Sequence, residues 1–359
     1  MSLTSKSRRG RPSGRPWANL KVRPYVAVLM LLSGCGGPVG DERVLVADAE
    51  RALKTLLETN HVSGQLVWQK VIMPGPGQIN VRSLVAGPRN GPPIILLHGA
   101  KGGNGIWVKT VGPLARTYRV YAPDLPGFGL SDKIVFGETP FLPAMSEFLA
   151  AYLDAIKVKR ATVVGHSMGG LLALTFAQHH PERVSRLVLA APLGFGPISG
   201  AFAMKALSVP GVASLAQATV LKSSLASERD WCAAHLPHAS ADDVRDFADY
   251  YYRTSLVPGA AEPMSALSRQ YFTWGGFKTP LTEQGLAAIK APTAVIWGLA
   301  DDRVQSNQGQ RARAMLPHAR LIYLEHARHL LPLDHPEEFV KVLQAFLTGK
   351  LPAPPASLL

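Results

Sequence analysis

Cysteine is scarce in this sequence, with two among 359 residues. Two cysteines are too few for a disulfide framework or a cysteine-based zinc cluster. The sequence also lacks a P-loop pattern and the H-E-x-x-H metal motif. We therefore expect neither a metal nor another cofactor. The 33 glycines and 29 prolines are spread without a period, which excludes a collagen-like chain.

Acidic residues are absent from residues 1–34, whereas basic residues are frequent there. The basic residues are Lys6, Arg8, Arg9, Arg11, Arg15, Lys21 and Arg23. The apolar run that follows, 25–32, is shorter than the roughly 20 residues that span a bilayer. A basic stretch, a short apolar run and small residues are typical of a secretory signal peptide. The alternative is a start codon assigned too early, followed by a buried strand.

This leader accounts for more than half of the formal net charge of +13. The rest of the chain has no run of basic residues, so we expect no nucleic-acid partner. The junction Leu32-Ser33-Gly34-Cys35 resembles the bacterial lipoprotein signal. The resemblance implies that the leader is cleaved and Cys35 is lipidated. We therefore expect an exported protein anchored in a bacterial membrane.

Two details of this export signal bear on the route and the membrane. Gly36, rather than an aspartate, follows the cysteine, which favours the periplasmic side of the outer membrane if the source has two membranes. Arg8-Arg9 leaves twin-arginine export open beside the general route.

Beyond the leader, apolar strands alternate with helical patterns. Apolar runs at 93–98, 119–122, 161–165, 186–190, 293–297 and 320–324 predict strands. The alternation stops over residues 195–286, which show short helical patterns and no convincing strand. The pattern predicts an α/β protein whose parallel sheet is covered on both faces and interrupted by a helical insert.

The predicted segments follow from these boundaries. They are a lipoprotein signal peptide (1–34), an anchor linker with an N-terminal helix (35–64), a first core part (65–194), the helical lid (195–286), a second core part (287–350) and a flexible tail (351–359).

The sequence Gly165-His166-Ser167-Met168-Gly169 matches G-x-S-x-G between a predicted strand and a predicted helix. In such a turn the serine hydroxyl projects from the sheet, and a Cβ at either glycine would clash. Ser167 is therefore the candidate nucleophile. The Met168 amide, at the helix N-terminus, is a candidate oxyanion donor. The amide of Ala100, in the glycine-rich segment 98–105, is the second candidate.

A serine hydroxyl needs a neighbouring base. In hydrolases with this turn, the acid and then the histidine follow the serine along the chain. Asp301 and His329 each follow a predicted strand, at the sheet edge that carries Ser167. These three residues are the candidate catalytic triad.

Four neighbouring residues are weighed against this assignment. Asp302 is the alternative acid, expected to be solvated or paired with Arg303. His326 and His335 are the alternative bases. His166, beside the serine, is expected to have a structural role.

Together, these residues resemble the α/β-hydrolase superfamily over 65–348. The stretch 122–132 and the segment Pro336-Glu337-Glu338-Phe339 are also similar to family segments. The resemblance implies an eight-stranded, mostly parallel sheet with helices on both faces and a lid after the sixth strand. One departure is Arg328, where the family usually has glycine before its histidine.

The predicted function is a carboxylesterase- or lipase-like serine hydrolase that cleaves a small, apolar carboxylic ester through an acyl-enzyme. The alternatives are a carbon–carbon bond hydrolase of ring-cleavage products and a cofactor-free haloperoxidase. The carbon–carbon hydrolases commonly have Asn where this chain has His166. A non-catalytic binding protein is the remaining alternative. Six aromatic residues of the lid are expected to shape an apolar pocket: Trp231, Tyr250, Tyr251, Tyr252, Phe272 and Trp274.

Overall fold

The computed structural model describes residues 21–22, 41–74, 76–100, 102–206, 208–209 and 224–351. Apart from two residues, the predicted leader lies outside this range, as does Cys35. Those two residues, Lys21–Val22, form strand β1, which pairs antiparallel with β6, Ile134–Val135.

The first long helix and a hairpin precede the core. Helix α1, Glu42–Thr59, begins after Asp41, whose carboxylate accepts a hydrogen bond from the Arg43 amide. Such an N-cap satisfies an amide that has no partner within the helix. The long strands β2, Gly64–Met73, and β3, Gly77–Ala86, then pair antiparallel along their whole lengths.

One eight-stranded sheet forms the core, as the family resemblance implies. The other strands are β4 (Pro93–Leu97), β5 (Arg119–Pro123), β7 (Ala161–His166), β8 (Val184–Ala190), β11 (Thr293–Gly298) and β12 (Arg320–Leu324). The spatial order is β12-β11-β8-β7-β4-β5-β3-β2, and β3 alone runs in the direction opposite to the other seven strands. Strands β7 and β11 are buried at every residue, which requires cover on both faces.

Helices of the core connect these strands or follow the last of them. They are α2 (Val108–Ala115), α3 (Phe141–Ala155), α4 (Met168–His179), α10 (Gln308–Met315), α11 (Leu331–Asp334) and α12 (Pro336–Leu347), with 3₁₀ turns at Gly103–Trp107 and Pro181–Arg183. Helices α3 and α4 pack together, and α2 packs against α11 and α12. Within the described ranges, no helix is both long and apolar enough to cross a bilayer.

The segment 195–286, here called the insert, follows the sixth strand of the sheet. Its described helices are α5 (Ala201–Ala206), α6 (Leu225–His235), α7 (Ala241–Leu256), α8 (Glu262–Tyr271) and α9 (Glu283–Ala287). The expectation of no strand here is wrong, because Phe272–Thr273 (β9) and Gly276–Phe277 (β10) pair antiparallel. Two residues are too few to leave an alternating pattern in the sequence. Helix α7 packs against both α1 and α6, which joins the insert to the body of the protein.

Candidate active site

Ser167 lies on a strained turn between β7 and α4. Its backbone φ of 55° and ψ of −116° are rare for a residue with a side chain. A Cβ on Gly165 would overlap the Gly169 carbonyl, and one on Gly169 would overlap the Leu97 carbonyl. The two glycines therefore let strand, turn and helix approach closely, and the serine sits at the carboxyl edge of the sheet.

A hydrogen-bonded chain links this serine to a histidine and a carboxylate. His329 Nε2 lies 3.0 Å from Ser167 Oγ, and His329 Nδ1 lies 2.8 Å from Asp301 Oδ2. Because the carboxylate can only accept, Nδ1 carries the proton and Nε2 is free to accept from the hydroxyl. This geometry can remove a proton from the serine.

Asp301 is held in place by its own loop. Its Oδ1 accepts hydrogen bonds from the amides of Arg303 and Val304, both at 2.9 Å. Its side chain is fully buried, and that of His329 is 12% exposed. The second oxygen, Oδ2, is thus left to orient the imidazole.

Sheet topology explains why residues so distant in sequence meet. Ser167 follows β7, and Asp301 and His329 follow β11 and β12; the carboxyl ends of parallel strands share one edge. A Cβ on Gly298, the last residue of β11, would overlap the Ala327 carbonyl, so glycine permits the close approach of the histidine loop.

The structure does not bring the alternative residues to the serine. Asp302 is exposed and pairs with Arg328 at 3.5 Å, rather than with Arg303. His326 is exposed, and His335 contacts His238 and Asp334 instead.

Arg328, the departure from the family pattern, also reaches the insert. Its Nη1 donates a hydrogen bond to the Ala234 carbonyl of α6 at 3.0 Å. This contact joins the loop that carries His329 to the insert.

Among the described residues, the amides of the two candidate oxyanion donors are free. Neither the Met168 nor the Ala100 amide donates a hydrogen bond to another residue in the described part of the chain. Met168 begins helix α4, where the first amides have no partner within the helix. Ala100 lines the same cavity as Ser167. Both amides are therefore available to a ligand.

His166 stays uncharged and holds the histidine loop. Burial, with a smaller contribution from neighbouring His329, lowers the pKa of His166 to about 3. Its Nε2 donates a hydrogen bond to the His329 carbonyl at 2.8 Å. The structural role expected from the sequence thus has a specific partner, which the sequence did not reveal.

A second buried histidine supports the glycine-rich segment. His98 Nδ1 donates to the Gly99 carbonyl at 2.7 Å, and its Nε2 accepts from the Leu125 amide at 2.9 Å. Burial lowers the pKa of His98 to about 4, so the ring is neutral at pH 7. His98 therefore fixes the backbone directly before Ala100.

A cavity of about 110 Å³ lies over Ser167 and His329. Its apolar lining comes from both core and insert: Leu193, Ile198, Met204, Met264, Leu267, Phe272, Val304 and Leu330. Ser199, Trp231, His235 and Arg303 supply the polar part. His235 and Arg303 could not be predicted from the sequence, because no periodicity marks residues that meet from separate segments.

Of the six insert aromatics expected at the pocket, only Trp231 and Phe272 line it. Tyr250 is buried instead over the 3₁₀ turn at Gly103 and Gly105, and Trp274 is 55% exposed. The expectation for the other four is wrong, because helical pattern alone does not say against which surface an aromatic ring packs.

The fold and this geometry agree with the comparisons to known proteins. The family described as alpha/beta hydrolase fold matches residues 92–336, and the chain belongs to that family. It is 28% identical over 285 residues, 76% of this chain and 93% of the relative, to a 2-hydroxy-6-oxo-6-phenylhexa-2,4-dienoate hydrolase of Burkholderia cepacia.

Two further proteins are similar. The chain is 30% identical over 257 residues, 71% of its length, to the dihydrolipoyllysine-residue acetyltransferase component of the acetoin cleaving system of Cupriavidus necator, of which it covers 63%. The structure of a carboxylesterase from Bacillus subtilis superposes with a TM-score of 0.61 at 19% identity, covering 85% of this chain and 99% of that one. At this identity the likeness shows the fold alone. The family and its relatives establish a hydrolase.

Proposed function

We propose that the protein is a serine hydrolase that cleaves carboxylic esters through an acyl-enzyme. The observation that carries this proposal is the hydrogen-bonded chain Ser167–His329–Asp301 at the floor of a mainly apolar cavity. A neutral, mostly carbon substrate fits such a lining better than a highly charged one.

Each residue has a defined task in this reaction. Ser167 Oγ attacks the acyl carbon while His329 Nε2 takes its proton, and Asp301 stabilises the resulting imidazolium. The amides of Met168 and Ala100 hold the oxyanion. His329 then protonates the departing alcohol. A water molecule, deprotonated by His329, releases the acid and restores the serine.

We propose that the insert acts as the lid of this site. Met204, Met264 and Phe272, from α5, α8 and β9, form part of the cavity wall together with residues of the core. Acyl specificity would therefore depend on the insert, and nucleophilic attack on the core.

The test combines labelling and turnover. A fluorophosphonate should label Ser167, and p-nitrophenyl esters should be hydrolysed. Ser167→Ala should not be labelled, and its kcat should fall by at least about 10³-fold. The matched control is Ser185→Ala, whose hydroxyl contacts Thr162 on the neighbouring strand and lies outside the cavity. Absence of both labelling and ester turnover in the parent protein would contradict the proposal.

A carbon–carbon bond hydrolase is the second candidate, and Arg303 favours it. Arg303 lines the cavity, and its guanidinium forms no ion pair or side-chain hydrogen bond within the described ranges. A dienoate, the substrate class in the name of the Burkholderia cepacia relative, carries a carboxylate that an arginine can bind.

Turnover of that dienoate and of neutral esters separates the two functions. For a carbon–carbon hydrolase, Arg303→Met should raise KM for the dienoate at least about 10-fold and leave KM for neutral esters unchanged. Faster turnover of the dienoate than of every ester would reverse the order of the two proposals.

We also propose lipidation at Cys35, which rests on the sequence of the junction at 32–35. Cys35→Ala should move the protein from the detergent phase to the aqueous phase and abolish incorporation of labelled fatty acid. Cys232→Ser, at a buried thiol, is the matched control and should leave partitioning unchanged. Equal partitioning of Cys35→Ala and the parent would count against an anchor.

A further inference from the structure

Three potential metal ligands that do not line the cavity converge where the insert meets the core. His238 lies between α6 and α7 of the insert, Asp334 ends α11, and His335 precedes α12. One ligand atom from each lies within 4.8 Å of the others. His238 and His335 are 97 positions apart in sequence, so no local motif could reveal this arrangement.

The distances between the ligand atoms match one face of a coordination tetrahedron. His335 Nε2 lies 3.0 Å from His238 Nδ1, and Asp334 Oδ2 lies 3.3 Å from His238 Nδ1 and 3.7 Å from His335 Nε2. Zinc bonds to imidazole nitrogen and carboxylate oxygen are about 2.0–2.2 Å long, which sets tetrahedral edges of about 3.3 Å. A single ion can therefore reach all three atoms without a large movement.

The carboxylate is prepared for a cation. The Asp334 side chain is fully buried, and its Oδ1 already accepts a hydrogen bond from the His238 amide at 2.9 Å. Within the described ranges, neither lysine nor arginine pairs with Asp334, and Oδ2 faces only the two imidazoles. Buried carboxylates are paired or bind metal. The amide bond also orients the carboxylate, as outer-shell partners of metal ligands do.

Proton counting favours a metal over a network of neutral histidines. The contact between His335 Nε2 and His238 Nδ1 joins two ring nitrogens, and only one proton can lie between them. That proton cannot also lie between His238 Nδ1 and Asp334 Oδ2. With both rings neutral, at least one of the three contacts therefore joins two acceptors or two donors, and no hydrogen bond can form there. A cation satisfies the three lone pairs at once.

We propose that His238, Asp334 and His335 bind a divalent transition metal, with zinc the best fit, and that the ion joins the insert to the core. Two imidazoles and one carboxylate suit zinc. His238 is 47% exposed, so the fourth position is open to water. Asp334 and His335 follow His329 within six residues of the chain. The bound ion therefore restrains the loop that carries His329, and through His238 it also restrains α6.

The test uses the full chain, purified in detergent and stripped with EDTA. Titration with ZnCl₂ in a calorimeter should give one ion per chain, and CoCl₂ should give the visible absorption bands of tetrahedral cobalt. Loss of an outer-shell partner typically weakens metal binding by about 10- to 100-fold. Because His238 is a direct ligand, His238→Gln should weaken zinc binding by more than about 10-fold. His318→Gln, at an exposed histidine outside the site, is the matched control and should bind like the parent.

A second set of measurements tests whether the ion joins the insert to the core. Zinc should raise the melting temperature of the parent and of His318→Gln, and slow amide hydrogen exchange over 225–240, but should do neither in His238→Gln. Equal melting temperatures of parent and His238→Gln in EDTA would show that the variant folds. If the variant fails to fold, Asp334→Asn takes its place. Absence of stoichiometric binding to the parent, or binding by a folded ligand variant equal to the parent's, would overturn the proposal.

Discussion

Two buried carboxylates occupy similar places in this sheet and have different surroundings. Asp124 follows β5 and Asp301 follows β11, each at the carboxyl edge. Each accepts two backbone hydrogen bonds: Asp124 from the amides of Asn104 and Leu130, and Asp301 from the amides of Arg303 and Val304. The difference lies in the oxygen that remains. In Asp301 both amides share Oδ1, so Oδ2 faces His329, whereas in Asp124 each oxygen already accepts an amide.

The surroundings of Asp124 make it a structural group. Its two amide donors belong to separate loops, which it joins. Burial raises the pKa of Asp124 to about 6 despite these bonds. Nearby Lys133 donates to the carbonyls of Gly129 and Ser131, at 2.6 and 3.2 Å. Burial alone therefore does not identify a carboxylate as part of a reactive site. The identifying feature is the group that faces the oxygen left free by the backbone amides.

The largest effect should come from changing the oxygen that faces the imidazole. Asp301→Asn keeps Oδ1 for the two amides but places an NH₂ group opposite His329 Nδ1, which favours the wrong tautomer. We expect kcat on a p-nitrophenyl ester to fall by about 10³–10⁴-fold, with little change in melting temperature. The control is Asp302→Asn, at an exposed neighbour, which should stay within about 3-fold of the parent. An equal loss of kcat in Asp301→Asn and Asp302→Asn would show that the oxygen facing His329 has no special role.

Asp124→Asn should act on stability instead. It replaces one acceptor by a donor and leaves a buried amide without a partner, at a cost of about 1–3 kcal/mol in the free energy of unfolding. Urea unfolding at pH 7 measures this loss. We expect kcat per folded molecule to fall far less than in Asp301→Asn. A loss of kcat as large as that of Asp301→Asn, without destabilisation, would assign chemistry to Asp124.

The pH dependence of stability tests the structural role of Asp124 in a further way. Because the pKa of Asp124 is raised from 3.8 to about 6, the folded state binds more protons than the unfolded state between these values. This group's contribution to stability therefore falls as pH rises from about 4 to 6. The difference in unfolding free energy between parent and Asp124→Asn should narrow over that interval. A constant or widening difference in a urea series would contradict the raised pKa.

The smallest effect concerns Arg328, which contacts Asp302 and the Ala234 carbonyl. The ion pair is largely exposed, so Arg328→Ala should lower the free energy of unfolding by at most about 1 kcal/mol. Loss of the bond to α6 should speed amide hydrogen exchange in α6 more than in α4. Hydrogen exchange measured by mass spectrometry checks this prediction. If Arg328→Ala changed the exchange rates of α6 and α4 equally, Arg328 would not hold the insert.

Strand positions in the core were accessible from the sequence for a physical reason. A strand buried on both faces must be apolar at every position, as in the predicted run 93–98 and the observed β4, Pro93–Leu97. The short strands β9 and β10 lack this signal, because two residues bury too little to constrain composition. The positions of the insert aromatics were missed for a related reason. An apolar helix face specifies burial, but not the surface that buries it.

Ser167 is defined by neighbours one or two positions away, since the strained turn needs Gly165 and Gly169 beside it. Local sequence and the order Ser, Asp, His therefore suffice to nominate Ser167, Asp301 and His329. What they cannot supply is which atoms face each other. The partner of Arg328, the hydrogen bond from His166 to the His329 carbonyl and the place of Arg303 at the cavity depend on loops that approach through folding.

The sequence by itself determined the strand and helix order, the mostly parallel sheet and the candidate nucleophile, because these depend on burial and turn sterics within a few residues. Only the tertiary structure decided that Asp301 rather than Asp302 faces His329, and that His238 meets Asp334 and His335. These contacts join segments far apart in the chain. Their distances are set by how the whole sheet and insert pack, to which no local pattern corresponds.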